Sequence, residues 1–186
     1  MAHNKITALT SLGTATARED LLHVVDDPGS TPTNKKVTIG EYANALMAPV
    51  TLADTAAISL TEATHAGRLI IVPDVAQTTT LTLPTPIAGM SMHFVGPLIA
   101  AATEDTNSVV ISAGTGNSIY FKGRLTFLDI DATASDVSIV GSDNDSNETI
   151  TIATAGHYDI TCVGISATIW MVSGFVASDT APVFAD

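Results

Sequence analysis

From about residue 51 to the end of the chain, apolar and polar residues alternate with a period of two. Thr80-Leu81-Thr82-Leu83 alternates cleanly before Pro84 and Pro86. In Thr149-Ile150-Thr151-Ile152 the threonines point one way and the isoleucines the other. Successive strand side chains project to opposite faces, so this period marks a strand with one buried face. The same reading predicts strands over 57–60, 68–72, 91–95, 108–112, 118–121, 124–130, 136–140, 158–163 and 168–173. Gly- and Asn-containing turns at 113–117, 141–147 and 155–156 separate several of them. Short strands at such intervals predict an antiparallel β-sandwich, or a jelly-roll or barrel. Long helices do not alternate with the strands, which argues against an α/β fold.

Two places break the period. Thr61–Ala66 reads as a single helical turn closed by Gly67. Ahead of the strands, Thr38-Ile39-Gly40-Glu41 has capping-box spacing, Ile39, Tyr42, Ala43 and Leu46 recur at helical spacing, and Pro49 stops the run. The expected helix is too short to persist without tertiary packing. Residues 1–37 read as an extended arm bearing apolar patches, first Ile6, Leu9 and Leu12, then Leu21, Leu22, Val24 and Val25. At ~3.3 Å per residue such an arm reaches roughly 120 Å, enough to lie on a neighbour. The alternative is a hairpin packed on the chain's own domain. The chain thus divides into an arm (1–37), a short linking helix (38–50) and a β body (51–186).

Composition narrows the function. Hydrophobic residues make up 46% of the chain and charged residues 14%, against roughly a quarter charged in ordinary soluble proteins. A surface so poor in charge suits a chain that covers part of itself with other subunits. The formal net charge is -12, from 7 Lys and Arg against 19 Asp and Glu. Nucleic-acid affinity comes mainly from cations neutralising phosphates, so no nucleic-acid partner is expected, and an anionic membrane would repel the chain. No apolar run approaches the ~20 residues of a membrane span. Ala2-His3-Asn4-Lys5 does not open a signal peptide. Cys162 is the sole cysteine, which precludes an internal disulfide; its apolar neighbours predict a small buried hydrophobe.

Little of the remaining chemistry points to catalysis. His3, His23, His65, His93 and His157 show no metal-ligand spacing, and no nucleophile elbow is present. Glu62 and His65 read as a solvated polar pair. Gly114-Thr115-Gly116 is too short for a phosphate loop. Asp143, Asp145 and Asn147 place oxygen donors at alternate positions, as at the start of a calcium loop. Glu148 stands where that loop needs glycine, and the distal glutamate is missing, so a tight acidic turn explains the segment as well. Calcium is the one cofactor to weigh, and an enzyme is not expected. Trp170 reads as core or subunit interface, with a sugar-stacking platform as the sharper alternative; Phe175 and Phe184 join it as candidate interface residues.

Ile6-Thr7-Ala8-Leu9, Gly13-Thr14-Ala15, Asp20–Asp26 and Asn34–Thr38 resemble the opening of many tailed-phage virion proteins. Thr80–Pro84, Asp143–Ile152, Trp170–Gly174 and Ala181–Asp186 are similar to segments of marine and cyanophage structural proteins. Together these phrases span most of the chain. The resemblance implies a virion structural protein, foremost a capsid decoration (cement) protein on the capsid exterior, made in the host cytoplasm. It implies the major capsid protein as partner and a homotrimer at capsid three-fold positions. A tail, fibre or adaptor component is the rival within the class. Outside it stands a glycan- or receptor-binding β-sandwich module.

Overall fold

The computed structural model describes residues 20–26, 30, 33–96, 106–114, 118–130 and 136–186. The chain forms two compact units, Met1–Met47 and Ala48–Asp186.

In the first unit, β1 (Leu21–Asp26) and β2 (Thr33–Thr38) form an antiparallel hairpin in continuous register from Leu21 opposite Thr38 to Asp26 opposite Thr33. Part of the expected extended arm is therefore folded on itself, because two β-capable runs flank the Asp27-Pro28-Gly29 sequence. Helix α1 (Ile39–Met47) follows directly. Its capping box forms as the spacing predicts: the Glu41 N–H donates to Thr38 Oγ1 (3.0 Å), and Glu41 Oε2 accepts from the Thr38 N–H (2.8 Å) and hydroxyl (2.8 Å). Of the expected arm residues, Ile6, Leu9 and Leu12 lie outside the described residues.

The second unit is a β-sandwich-like body. Its strands are β3 (Val50–Thr51), β4 (Ala57–Ser59), β5 (Leu69–Ile71), β6 (Thr79–Thr82), β7 (Ser91–Gly96), β8 (Val109–Ser112) and β9 (Tyr120–Asp129). Then come β10 (Asp136–Gly141), β11 (Thr149–Ile152), β12 (Ala155–Ser166), β13 (Ile169–Ser178) and β14 (Val183–Ala185). A four-residue helix, α2 (Glu62–His65), joins β4 to β5, capped by Thr61. One sheet has the order β10-β9-β13-β12-β7-β5-β3 and the other β14-β11-β8-β6-β4. Burial alternates with period two in β6, β7, β8 and β11, as the sequence predicts.

The pairing corrects the all-antiparallel expectation. From β3 to β8 the chain alternates between the sheets, so β3-β5-β7 pair in parallel on one side and β4-β6-β8 on the other. Parallel neighbours need a crossover, and here the crossover is the strand of the opposite sheet. From strand start to strand start, three of the windings take about 20 residues and the one from β6 to β8 takes about 30. Strands β11 and β12 then add antiparallel to β8 and β7 and close both parallel runs. The sequence runs read separately at 118–121 and 124–130 are one strand, β9, which pairs in parallel with β13. Stretches β3 and β14, too short for a periodicity reading, were not anticipated.

Strand register stacks like side chains. Ile58, Leu81, Ile111, Ile150 and Phe184 occupy one row across the five-stranded sheet. Val50, Ile70, Phe94 and Ile160 form the corresponding row opposite. These rows meet in one core with Trp170 and Phe121. At the β9–β13 seam Gly123 has φ +123°, and a Cβ there would lie 2.1 Å from the Val172 carbonyl oxygen. Only glycine fits that position.

Candidate functional site

The body carries a recess of about 290 Å³ lined by the polar residues Ser118, Tyr120, Asp145, Ser146, Glu148 and Asp186. Its wall is the turn 143–148 that the sequence singles out. Asp143 Oδ1 accepts the backbone N–H groups of Asp145 (2.9 Å), Ser146 (3.0 Å) and Asn147 (3.3 Å), and its Oδ2 accepts the Ser146 hydroxyl (3.0 Å). These donors, the Asp145 N–H foremost, hold the Asp143 carboxyl down at about 2. Asn147 Oδ1 in turn accepts the Asp143 N–H (2.8 Å). Asn144 adopts φ 64°, a left-handed conformation that asparagine tolerates better than most residues.

The turn is bound to β9, to β14 and to Ala113 just beyond β8. The Asn147 carbonyl accepts from the Phe121 N–H, the Glu148 carbonyl from the Ala113 N–H, and the Glu148 N–H donates to the Ala185 carbonyl. Asp186 Oδ1 receives both the Ser146 hydroxyl (2.8 Å) and Asn147 Nδ2 (3.1 Å). The oxygens of Asp143 and Asn147 that a calcium ion would require are thus engaged within the turn. Among the described residues no group of three or more His, Cys, Asp or Glu side chains is placed to hold a metal. The arrangement is that of a hydrogen-bonded acidic turn.

The aromatic candidates separate. Trp170 is fully buried, and its indole N–H donates to the Ala113 carbonyl (3.0 Å), tying the two sheets together. It presents no face to a sugar or to another chain. Phe184 is partly buried against the core from the edge strand β14. Phe175 is exposed on the outer face of the seven-stranded sheet, its ring 5.8 Å from that of His157.

Two histidines behave as the sequence does not foretell. His65 is buried, its Nδ1 receiving the Thr61 N–H (3.0 Å), so it closes α2 instead of forming a solvated pair with Glu62. His93 Nε2 lies 2.8 Å from Asp159 Oδ1 on the neighbouring strand β12. A gap of 66 residues hides that pair from any local motif. Cys162 is buried, and burial pushes its thiol up to about 12, away from nucleophilic use. No helix among the described residues is long and apolar enough to cross a membrane. No protein-family model matches the chain, and no curated protein matches it.

Proposed function

We propose that this chain is a non-catalytic virion structural protein, a capsid decoration protein that grips the outer shell through its N-terminal unit. The observation that carries this reading is the apolar surface of that unit. Leu21 and Leu22 of the hairpin and Tyr42, Leu46 and Met47 of α1 are exposed, and Gly40 is the one buried residue of the helix. A nine-residue helix holds poorly without tertiary packing, and these apolar side chains stand exposed. The major capsid protein is the partner that would cover them. The body has its own core, whose residues lie between Val50 and Phe184.

Attachment to the assembled shell alone would stabilise that state by mass action, and repetition over the lattice would add avidity. The glycan-binding alternative loses its aromatic platform with the burial of Trp170. The test compares the full chain with a truncation beginning at Ala48 and with the double variant Leu46→Lys/Met47→Lys, each incubated with particles stripped of the protein. The truncated body should keep its native circular dichroism, and both variants should fail to decorate particles that the full chain saturates. Full occupancy by the truncated body would overturn the proposal.

A further inference from the structure

The chain has five methionines, Met1, Met47, Met90, Met92 and Met171. Met1 lies outside the described residues. Met90 and Met92 are buried in the core of the body. Met171 stands on the outer face of β13, 40% exposed, opposite Val163 of β12 and Lys122 of β9. Met47, the last residue of α1, is 72% exposed, more than any other large apolar side chain among the described residues. Oxygen transfer to a thioether requires the oxidant to reach the sulfur. Exposure therefore ranks Met47 first, Met171 second and the core pair last.

Met47 belongs to an apolar surface. Tyr42 and Leu46, both exposed, are four residues apart on one side of α1, and Met47 follows Leu46 in the last turn. An unbranched, polarisable thioether adapts to the relief of whatever it packs on. Its sulfoxide is polar and chiral. On a surface that must shed water to bind, the added oxygen has to be desolvated and given a donor, which costs affinity. The step is complete with a peroxide as co-reactant. The O–O bond breaks, one oxygen bonds to sulfur, the other leaves as water, and sulfur gives up two electrons. Two thiols reverse the change, ending as a disulfide while the sulfoxide oxygen departs as water.

From these features we infer that Met47 is an oxidation site, and that its sulfoxide weakens the hold of the N-terminal unit on its partner. The switch acts on the free chain, because attachment covers the sulfur and shields it. The core methionines are screened from the oxidant, so the body keeps its fold in both states. The assignment of the site stands on exposure; the effect on attachment rests on the reading of residues 1–47 proposed above.

The experiment treats the full chain with dilute hydrogen peroxide and follows each methionine by peptide mass spectrometry. Met47 should oxidise first and Met171 next, with Met90 and Met92 reacting only once the chain unfolds. On particles decorated beforehand, Met47 should react more slowly than in the free chain. Affinity for stripped particles is then measured before and after peroxide. Oxidation should weaken wild-type binding about tenfold, equivalent to ~1.4 kcal/mol, with circular dichroism unchanged. Methionine sulfoxide reductase with dithiothreitol should restore it. The before-to-after ratio should stay at about ten in Met171→Leu and fall to about one in Met47→Leu. Oxidation of Met171 ahead of Met47, an oxidised wild type that binds like the native chain, or a peroxide response retained by Met47→Leu would overturn the inference. A native chain that does not bind particles would overturn the attachment reading and the switch with it, whereas the order of oxidation decides the site by itself.

Discussion

Asp143 lies in solvent, yet its carboxyl is held at about 2 against an ordinary 3.8 because the backbone N–H of Asp145, then that of Ser146, bind its charged form. A carboxyl lowered on folding contributes stability that is complete above its unfolded value and disappears as pH falls through the folded value. The turn 143–148 should therefore hold its shape down to about pH 4 and come apart between pH 4 and pH 2. A carbon-detected NMR titration should place the Asp143 midpoint near 2, with the amides of Asp145 and Ser146 shifting in step. A midpoint close to 4 would mean that these hydrogen bonds do not persist in solution. The alternating oxygens of this turn were plain in the sequence. Their hydrogen-bond partners were not, because Asp186 lies some 40 residues away and reaches the turn only through β14.

Among the strands, the row Ile58–Leu81–Ile111–Ile150–Phe184 shows what fixes register in the five-stranded sheet. Slipping any of these strands by one residue would turn its apolar set outward. Ile111 is fully buried at the middle of the row, with Leu81 on one side and Ile150 on the other. Ile111→Ala should cost about 2–5 kcal/mol and Ile111→Val about 0.5–1.5 kcal/mol, measured by urea unfolding. An alanine variant as stable as the parent would mean that the row is not packed as described. Individual strands such as 80–83 and 149–152 were legible because their period is local. Their partners were not, since an alternating run of four to six residues suits a parallel neighbour as well as an antiparallel one. The positions of Trp170 and His65 escaped for a related reason: residue type and spacing do not say which sheet lies opposite.

Taken whole, the body draws nearly all its order from contacts between distant parts of the chain, as where Phe94 meets Ile160 and Ile111 meets Ile150. Loop closure precedes the gain from such pairs, so folding should be slow, with refolding in water on the order of milliseconds to seconds. The sole tryptophan is buried at the junction of the sheets and reports that event directly. Stopped-flow fluorescence should show no major phase faster than about a millisecond. A dominant microsecond phase would be incompatible with this topology. The change to a strand period at about residue 51 was visible in the sequence because the pattern is local. The hairpin within the first unit was legible only as the alternative to an arm, since the same runs serve an outstretched segment equally.

The windings from β3 to β8 have a consequence for how such a molecule can change size. Every winding contributes one strand to each sheet, and β11 and β12 seal the last one whatever came before. Duplicating roughly 20 residues between β4 and β7 would therefore lengthen the body by about 4.8 Å without redesigning either end. Stature in this architecture comes in equal increments, like courses of brick, and a lineage could grow or shorten it by copying or losing one course at a time.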